Sequence, residues 1–540
     1  MDRRRPAGRR QAPLALPGDR RLLRRDRAVR RQRSGDAARR IREVPQVVRT
    51  DRLTPDERNS VSFETPPRPR WLLRVSLALG TVLALALGVV VVVGLVQRCD
   101  TGVWHAGDEG ECVGVTDGSF PFSSELADVE DKIRQENERV AQEPEVVTVA
   151  VLMPMTAEPG ASLSIEQIND YLRGAYIAQL SANAGGPGLK FRLALANEGR
   201  DEHASEQVTD ELLKMVDEPE NLVAVTGLGL SSPETEKGAR KLSAAGIPMV
   251  GYLSADRFNS TSEESGPPIK GLTRVSPSLH QELEAVAEHL GDPAATAILV
   301  HDESRNDYYT ADLQKNFEDT FSEIVTRTGS MSAPYGGGSD AFGLDTQFGT
   351  IASRLCSADA PRTVLYAGRS NLLPKFMEQI SNRGCIRDRP ITVVTGSEST
   401  DLPKNENASA AVLYASVSDP TALRDQRNLH RDLYLRFTGE MERRFGGNVR
   451  ESNWTVMGHD ATYAAVTAAK NSVSGVRTVP TPGGVHDNLF LLNHPTNLVS
   501  GASGRFMLDG DSGDRIGDIP VLRRDKTGHV EVLDLGGLDD

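Results

Sequence analysis

The chain has 540 residues, a length that accommodates several domains or one large two-lobed domain. Its 38% hydrophobic and 5% aromatic content give no indication of a fibrous protein. The formal net charge of −13 conceals an asymmetry, because residues 1–74 hold 22 Arg, no Lys and nine acidic residues, whereas the remainder carries a net charge of −26. A basic head and an acidic body indicate that the two parts face different environments.

An uncharged stretch of 22 residues lies at the boundary, at residues 75–96 (VSLALGTVLALALGVVVVVGLV). As a helix it would be about 33 Å long, which matches a hydrocarbon core about 30 Å thick. A signal peptide is a poorer interpretation, because the leader is about 70 residues long and no small-residue cleavage site follows. Gln97 and Arg98 disfavour a lipid anchor at Cys99, which requires small residues before it. We therefore expect a retained transmembrane helix over residues 71–97.

The arginines before this stretch predict its orientation. Because positive segments next to a span stay in the cytoplasm, we expect a cytoplasmic segment at residues 1–70 and an extracytoplasmic region from residue 98 onward, which makes a single-pass protein of the cell membrane. The inner segment is rich in Arg, Pro and Gly and poor in aromatic residues, as is typical of disorder. No interleaved aromatic pattern indicates nucleic-acid binding.

All four cysteines lie on the predicted outer side, where disulfides form. Proximity in the sequence favours the pairs Cys99–Cys112 and Cys356–Cys385, and two other connectivities remain open. No C-x-x-C motif occurs, which disfavours a thiol redox site or a zinc ribbon, and we expect no bound metal.

The outer region begins with a predicted stalk and continues as alternating strands and helices. Residues 98–145 are expected to form a polar stalk with a disulfide loop and a helix at about residues 124–142. From residue 146 onward, short apolar runs such as VVTVAVLM (146–153), a predicted strand, alternate with helical stretches such as residues 165–184. This alternation indicates βαβ units and parallel sheets covered on both faces. The sequence thus predicts an α/β protein with two doubly wound lobes. We expect a domain over residues 146–540, with lobe 1 at about residues 146–275 and 418–500, and lobe 2 at about residues 276–417 and 501–540.

The stretch VTGLGLSSPE (225–234) joins a predicted strand to a predicted helix and allows several interpretations. A phosphate-binding loop would need a Gly-Lys-Ser/Thr ending and a dinucleotide site a third glycine, and neither is present. GLSSP (229–233) resembles the G-x-S-x-G motif of hydrolases with Ser231 as nucleophile, but Pro233 replaces the last glycine. The serines could also simply cap the helix, as a capping box of Ser231 with Glu234 or as Ser232 followed by Pro233. Either cap leaves room for an anionic ligand at the helix N-terminus.

Residues 225–256 (VTGLGLSSPETEKGARKLSAAGIPMVGYLSAD) resemble the strand–Ser-Ser–helix–strand segment of type I periplasmic binding proteins, in particular the branched-chain amino acid receptors. The resemblance covers roughly residues 146–533 and includes VAVLMPMT (149–156), ILVHDESRNDYYTADLQKNFED (298–319), LYAGRSNLLPKFMEQI (365–380), VVTGSEST (393–400) and GASGRFMLDGDSGDRIG (501–517). It implies a two-lobed fold that closes on a small ligand, an amino acid or a related zwitterion, without catalysis or a cofactor. The implied partner is an ABC-type permease.

The resemblance also implies a binding site. In this family the Ser-Ser loop binds the ligand α-carboxylate, a role that falls on Ser231 and Ser232, with a further hydroxyl from Ser254. The acidic partner of the ligand ammonium falls on Glu398. Four further residues are expected near the ligand, and the Arg among them implies a polar or acid-selective pocket: Thr156, Tyr308, Tyr366 and Arg369.

Two other uses of the same fold remain open, namely a sensor that reports ligand across the membrane to a signalling partner, and an adhesion or scaffold module with a degenerate pocket. A serine hydrolase using Ser231 is the least favoured alternative. DGDSGD (509–514) resembles a calcium loop but lacks the Glu at position twelve of an EF-hand, so a hairpin turn explains it better.

Overall fold

The structure is a computed structural model that describes residues 98–540 with short gaps, together with isolated positions between residues 71 and 83. The gaps are residues 108–109, 158–160, 187, 218, 264–265, 291–295, 304–306, 323–331, 337–340, 358, 386–389, 403–409, 448–449, 474–478 and 538–540. Residues 1–70 and most of the predicted membrane segment 75–96 lie outside the described residues. Among the described helices, none is long and apolar enough to cross a membrane. Contacts divide the chain into the units Met1–Ala78 and Leu79–Asp540, and the second is described below.

The first sheet has eight strands in the order β1-β2-β3-β5-β4-β6-β7-β8. They are β1 (Arg98–Asp100), β2 (Val103–Ala106), β3 (Glu111–Thr116), β4 (Val146–Met153), β5 (Lys190–Asn197), β6 (Leu222–Gly227), β7 (Met249–Gly251) and β8 (Leu272–Arg274). The strands from β4 to β8 pair in parallel, and β1–β3 form an antiparallel edge. β4 is buried along nearly its whole length, as expected for a parallel strand covered on both faces.

The second sheet has seven strands in the order β10-β9-β11-β12-β13-β17-β18, with β17 and β18 antiparallel, and a third sheet consists of β14-β15-β16. They are β9 (Ala297–Asp302), β10 (Ser332–Tyr335), β11 (Thr363–Ala367), β12 (Ile391–Val394), β13 (Ala410–Ala415), β14 (Val499–Gly501), β15 (Gly504–Leu508), β16 (Arg515–Ile516), β17 (Val521–Arg524) and β18 (Val530–Asp534). We call the part around the first sheet lobe 1 and the part around the second sheet lobe 2. The predicted α/β architecture is therefore present.

Helices cover the two large sheets. They are α1 (Ala127–Val140), α2 (Ile165–Asn183), α3 (Ser205–Lys214), α4 (Pro233–Ala244), α5 (Leu279–Ala287), α6 (Tyr308–Thr320), α7 (Ala341–Arg354), α8 (Leu373–Asn382), α9 (Pro420–Arg424), α10 (Arg431–Phe445), α11 (Asn453–Ser472) and α12 (Pro482–Phe490). α2 and α11 cross at very short distance, since a Cβ added at Gly174 would lie 2.0 Å from the Thr455 carbonyl oxygen. One added at Gly458 would lie 2.2 Å from the Tyr171 carbonyl oxygen. Glycine at both positions thus lets α11 pack into lobe 1, after the chain has already built most of lobe 2.

The segment at residues 98–145 is not a separate stalk, contrary to the expectation. β3 pairs with β5 and so extends the first sheet. α1 buries Val129 and Ile133 in the same core as α2. The physical reason is that an amphipathic helix needs an apolar surface to cover, and lobe 1 offers one beside β5.

Both predicted disulfides are present. Cys99 and Cys112 join β1 to β3 across 6.0 Å between their Cα atoms. Cys356 and Cys385 join the ends of α7 and α8 across 5.5 Å. Proximity in the sequence therefore identified the correct pairs.

Candidate functional site

A cavity of about 790 Å³ lies between the lobes. Lobe 1 contributes the loop after β5, at residues 201–203, and the junction of β6 with α4, at residues 230–234 and Lys237. Lobe 2 contributes Asp307, at the start of α6, and Arg369, just after β11. These segments follow the carboxyl ends of parallel strands, the edge at which open α/β sheets bind ligands.

A larger cavity of about 1120 Å³ lies on lobe 1 between α2, α10 and residues 500–505. Two of the arginines on its wall, Arg443 and Arg444, share the carboxylate of Glu440. All of its walls belong to elements packed on lobe 1, so hinge closure would not change it. The cavity between the lobes is therefore the candidate site.

The turn after β6 places Ser231 and Ser232 on the cavity wall. Gly227 has φ 97° and Leu228 φ 56°, and a Cβ at Gly227 would lie 2.4 Å from the Leu152 carbonyl oxygen. Glycine is needed there because the chain turns sharply against β4. The glycines of this stretch therefore serve the turn, and the serines that follow it reach the cavity.

Ser232 is the N-cap of α4, with Pro233 at the first helical position. Its hydroxyl oxygen accepts a hydrogen bond from the Thr235 N–H at 3.1 Å and its proton is donated to the Glu202 carboxylate. Of the two capping interpretations, the one centred on Ser232 is present. Ser232 thus caps α4 and also lines the cavity, but its hydroxyl proton is already donated to Glu202.

Glu202 is a site residue that the sequence interpretation missed. It is fully buried, and the Thr235 hydroxyl also donates to its carboxylate at 2.8 Å. Burial raises the pKa of Glu202 to about 7, although the hydroxyls of Ser232 and Thr235 and the charge of Arg369 oppose this rise. The run NEGRDE (197–202), which begins at the last residue of β5, was the available signal, because acidic residues at a strand end face the ligand edge.

The loop that carries Glu202 has an unusual backbone. Asp201 and Glu202 adopt φ values of 55° and 59°, in the left-handed region that non-glycine residues rarely occupy. Behind this loop lies Glu198, which is also fully buried and whose pKa is raised by burial and by the adjacent Glu202. Neither carboxyl oxygen of Glu198 has a hydrogen-bond partner among the described residues. Backbone strain such as that of Asp201 and Glu202 concentrates at functional sites.

Arg369 lies at the centre of a buried ion cluster in lobe 2. Its guanidinium binds Asp307 through two hydrogen bonds of 2.7 and 3.0 Å and donates to Glu398 at 2.5 Å. Burial alone would lower the pKa of Arg369, but the charges of Glu398 and Asp307 raise it above the ordinary value. The face of Tyr309 covers the guanidinium at 4.7 Å. Arg369 is therefore a permanent cation whose hydrogen bonds are directed to its own lobe.

This cluster corrects two expectations. Glu398 was expected to hold a ligand ammonium, yet its carboxylate accepts from Arg369 and from the Ser370 N–H at 3.3 Å. Arg369 was expected to favour an acidic ligand, yet its charge is already balanced by two carboxylates. The physical reason is that ionised groups buried side by side must pair. Asp307, the N-cap of α6, is the partner that the sequence interpretation missed.

The other four predicted residues do not line the cavity in the described structure. Tyr366 lies in the core of lobe 2, because its strand β11 is buried on both faces, and its hydroxyl accepts from the Tyr335 hydroxyl at 3.1 Å. The Thr156 hydroxyl donates to Glu111 at 2.5 Å, and the Ser254 carbonyl accepts from the Leu279 N–H. Tyr308 stands at the rim, where its ring lies 4.0 Å from the Arg257 guanidinium.

Among the described residues, two of the hydrogen bonds that join the lobes lie beside the cavity. The Tyr308 N–H of lobe 2 donates to the Ser231 carbonyl of lobe 1 at 3.0 Å. The Asn371 amide of lobe 2 donates to the Ala161 carbonyl of lobe 1 at 3.3 Å. The structure thus corresponds to a state in which the lobes meet around the cavity.

The alternative chemistries find little support in the geometry. Within the described residues, no histidine is hydrogen-bonded to the Ser231 hydroxyl, as a hydrolase triad would require. His105 lies near Cys99 and Cys112, but their sulfurs form a disulfide and provide no thiolate for a metal. Asp509 accepts from the N–H groups of the turn that follows it, as in a hairpin turn.

No family model and no curated protein matches the chain. Among solved structures, it is similar to an ABC transporter substrate-binding protein from Desulfitobacterium hafniense in complex with Leu, with a TM-score of 0.51 and 16% identity over 72% of this chain and 100% of that one. It is similar to a leucine-binding protein from Thermotoga maritima, with a TM-score of 0.50 and 16% identity over 72% of this chain and 98% of that one.

A third similar structure is an ABC transporter solute-binding protein from Rhodopseudomonas palustris in complex with 3,4-dihydroxybenzoic acid, with a TM-score of 0.51 and 14% identity over 73% of this chain and 98% of that one. At such identities the likeness concerns the fold and not the ligand. The fold of this chain is the two-lobed α/β fold of the type I periplasmic solute-binding proteins.

Proposed function

We propose that this protein is an extracytoplasmic solute-binding protein that holds a small polar ligand in the cavity between its lobes. The observation that carries the proposal is a cavity of about 790 Å³ whose polar walls come from both lobes, in a chain with this fold. A ligand that touches Glu202 in lobe 1 and the Asp307–Arg369 pair in lobe 2 stabilises the closed state through its differential affinity for that state. Binding needs no catalytic step.

The ligand class follows in part from the solved structures. Their ligands include leucine and 3,4-dihydroxybenzoic acid, which are both small molecules with a carboxyl group. An amino acid or a related small molecule fits a cavity of this size, and delivery to an ABC-type permease is the corresponding role. The sensor and the scaffold module remain the alternatives, and the scaffold module is favoured by one observation, namely that Arg369 and Ser232 are already hydrogen-bonded internally.

We also propose that residues 75–96 anchor the protein in the membrane with residues 1–70 in the cytoplasm. The support is the uncharged length of this stretch and the excess of Arg before it. Labelling of single cysteines introduced at residues 30 and 429 in intact cells tests the orientation, because the side chain at residue 429 is 90% exposed. Only the second should react with a membrane-impermeant reagent, and reaction at residue 30 would contradict the proposal.

Thermal unfolding of the purified full chain tests ligand binding. Amino acids, small amides, amines and sugars are screened, because a ligand that binds only the folded state stabilises it by about 2.7 kcal/mol at a concentration of 100 times its Kd. Arg427→Met, a change at an exposed arginine outside the cavity, serves as control and should respond like the wild type. If no compound raises the Tm, the solute-binding role is contradicted and the scaffold module becomes the better explanation.

A further inference from the structure

The cavity between the lobes contains more acidic than basic groups. In the described residues its wall carries four carboxyl groups and two strongly basic groups, which belong to Asp201, Glu202, Glu234 and Asp307, and to Lys237 and Arg369. Glu398 lies directly behind Arg369 and adds a fifth carboxyl group to this set. His203 is also on the wall, where it is hydrogen-bonded to Glu111.

Both basic groups are paired within the protein. Lys237 contacts Glu234 at 2.6 Å, and Arg369 contacts Asp307 at 2.7 Å as well as Glu398 at 2.5 Å. Two positive charges therefore face three carboxylates. A ligand anion would have to displace one of these carboxylates to obtain a cationic partner.

Glu202 and Asp201 are the acidic groups that remain. Asp201 is exposed and lies 3.9 Å from Arg200. Glu202 is fully buried, and its carboxylate accepts from neutral groups, namely the hydroxyls of Ser232 and Thr235 and the backbone of Leu230. No Lys or Arg forms an ion pair with Glu202 within the described part of the chain. The buried carboxyl of Glu198 stands behind it and adds a second acidic group without a cationic partner.

The Ser-Ser loop is consequently unsuited to an anion. The Ser232 hydroxyl donates its proton to Glu202, and the Ser231 carbonyl accepts from the Tyr308 N–H. Pro233 has no N–H to offer at the start of α4. A ligand carboxylate at this loop would lie next to Glu202, in a buried environment where like charges repel strongly.

We propose that the cavity selects a ligand of net positive charge, a small organic amine or guanidine, whose cationic group contacts Glu202. This inference deepens the proposed function and rests on it. The ligand cation is the positively charged partner that no described Lys or Arg provides for Glu202. The two groups form a charge-assisted hydrogen bond in a water-poor site. The arrangement reverses the expected polarity, in which the Ser-Ser loop would hold a carboxylate.

Isothermal titration of the full chain at pH 8 tests the charge preference. Putrescine and agmatine are compared with leucine, glutamate and 1,4-butanediol, an uncharged molecule of the same length as putrescine. We expect the two cations to bind at least about tenfold more tightly than the other three, because they make a charge-assisted hydrogen bond to Glu202 and bring no carboxylate next to it. Binding of leucine, glutamate or butanediol with equal or higher affinity would overturn the inference and leave the solute-binding role intact. Absence of binding for every compound, together with a flat thermal screen, would overturn both.

Two substitutions assign the effect to Glu202. Glu202→Gln removes the charge and keeps an oxygen for Ser232 and Thr235, so we expect a loss of at least about tenfold in putrescine affinity. Glu206→Gln makes the same charge change at an exposed position of α3, where the side chain is 73% exposed, and should bind like the wild type. Unchanged affinity in Glu202→Gln would refute the role of Glu202. If this variant does not fold, the comparison of putrescine with butanediol on the wild type still decides the charge preference.

Discussion

Replacement of Arg369 by Met is expected to destabilise lobe 2 strongly. The side chain is 9% exposed and its two partners Asp307 and Glu398 are 14% and 16% exposed, so the cluster is shielded from solvent. Met retains most of the apolar stem but removes the positive charge, which leaves two carboxylates buried near each other. Removing one partner of a buried ion pair costs about 3–5 kcal/mol, because the remaining charge is unpaired.

Urea unfolding of the full chain, followed by circular dichroism, measures the loss. Arg427→Met is the matched control, since Arg427 is 59% exposed and pairs with Asp425 at the surface. An exposed pair contributes only about 0–1 kcal/mol, so the control should unfold close to the wild type. A loss below about 1 kcal/mol in Arg369→Met would show that the cluster is solvated, and would refute the argument that Arg369 is unavailable to a ligand.

Three further outcomes are expected. The pKa of Glu202 is raised to about 7 by burial, so the stabilisation from its protonated form is complete below pH 4.5 and is lost as pH rises through about 7. Between pH 5 and 8 the Tm of the wild type should therefore fall more than the Tm of Glu202→Gln. Equal slopes of Tm against pH in the two proteins would contradict this. Gly174→Ala should lower the free energy of unfolding in urea by about 1–3 kcal/mol, because its Cβ would lie 2.0 Å from the Thr455 carbonyl oxygen. Gly447→Ala is the control and should leave this free energy unchanged, because no atom lies within 4 Å of the added Cβ. Replacing Cys356 and Cys385 together by Ser opens a loop with a sequence separation of 29 residues and should cost about 2–4 kcal/mol, and an unchanged Tm would contradict this.

Local pattern was enough to predict most elements of the fold. The run VVTVAVLM was expected as a strand over residues 146–153, and β4 has the same bounds. The helix expected over residues 165–184 is α2, Ile165–Asn183. Both follow from apolar spacing and from capping within a few residues, which are properties of short segments. The disulfide pairs were predictable for the same reason, because cysteines close in the sequence meet at low cost in loop entropy.

Contacts between distant segments were not predictable in this way. The pairing of β3 with β5 joins residues about 80 positions apart, and it depends on β5 having a free edge that only the assembled sheet shows. The crossing of α2 with α11 depends on the close approach of Gly174 to Thr455 and of Gly458 to Tyr171, and these contacts form only in the folded chain. Tyr366 was misplaced because an aromatic residue in a strand fits a core and a pocket equally well.

The sequence by itself determined that this protein has two α/β lobes, that VTGLGLSSPE forms a turn and a capped helix, and that charged residues follow the strands at one edge. Only the tertiary structure decided which charges meet there. Arg369 pairs with Asp307 and Glu398, whereas Glu202 has hydroxyl partners and lines the cavity. The physical reason is that hydrogen bonds and caps form within a few residues, but the pairing of buried charges depends on distances across the folded chain.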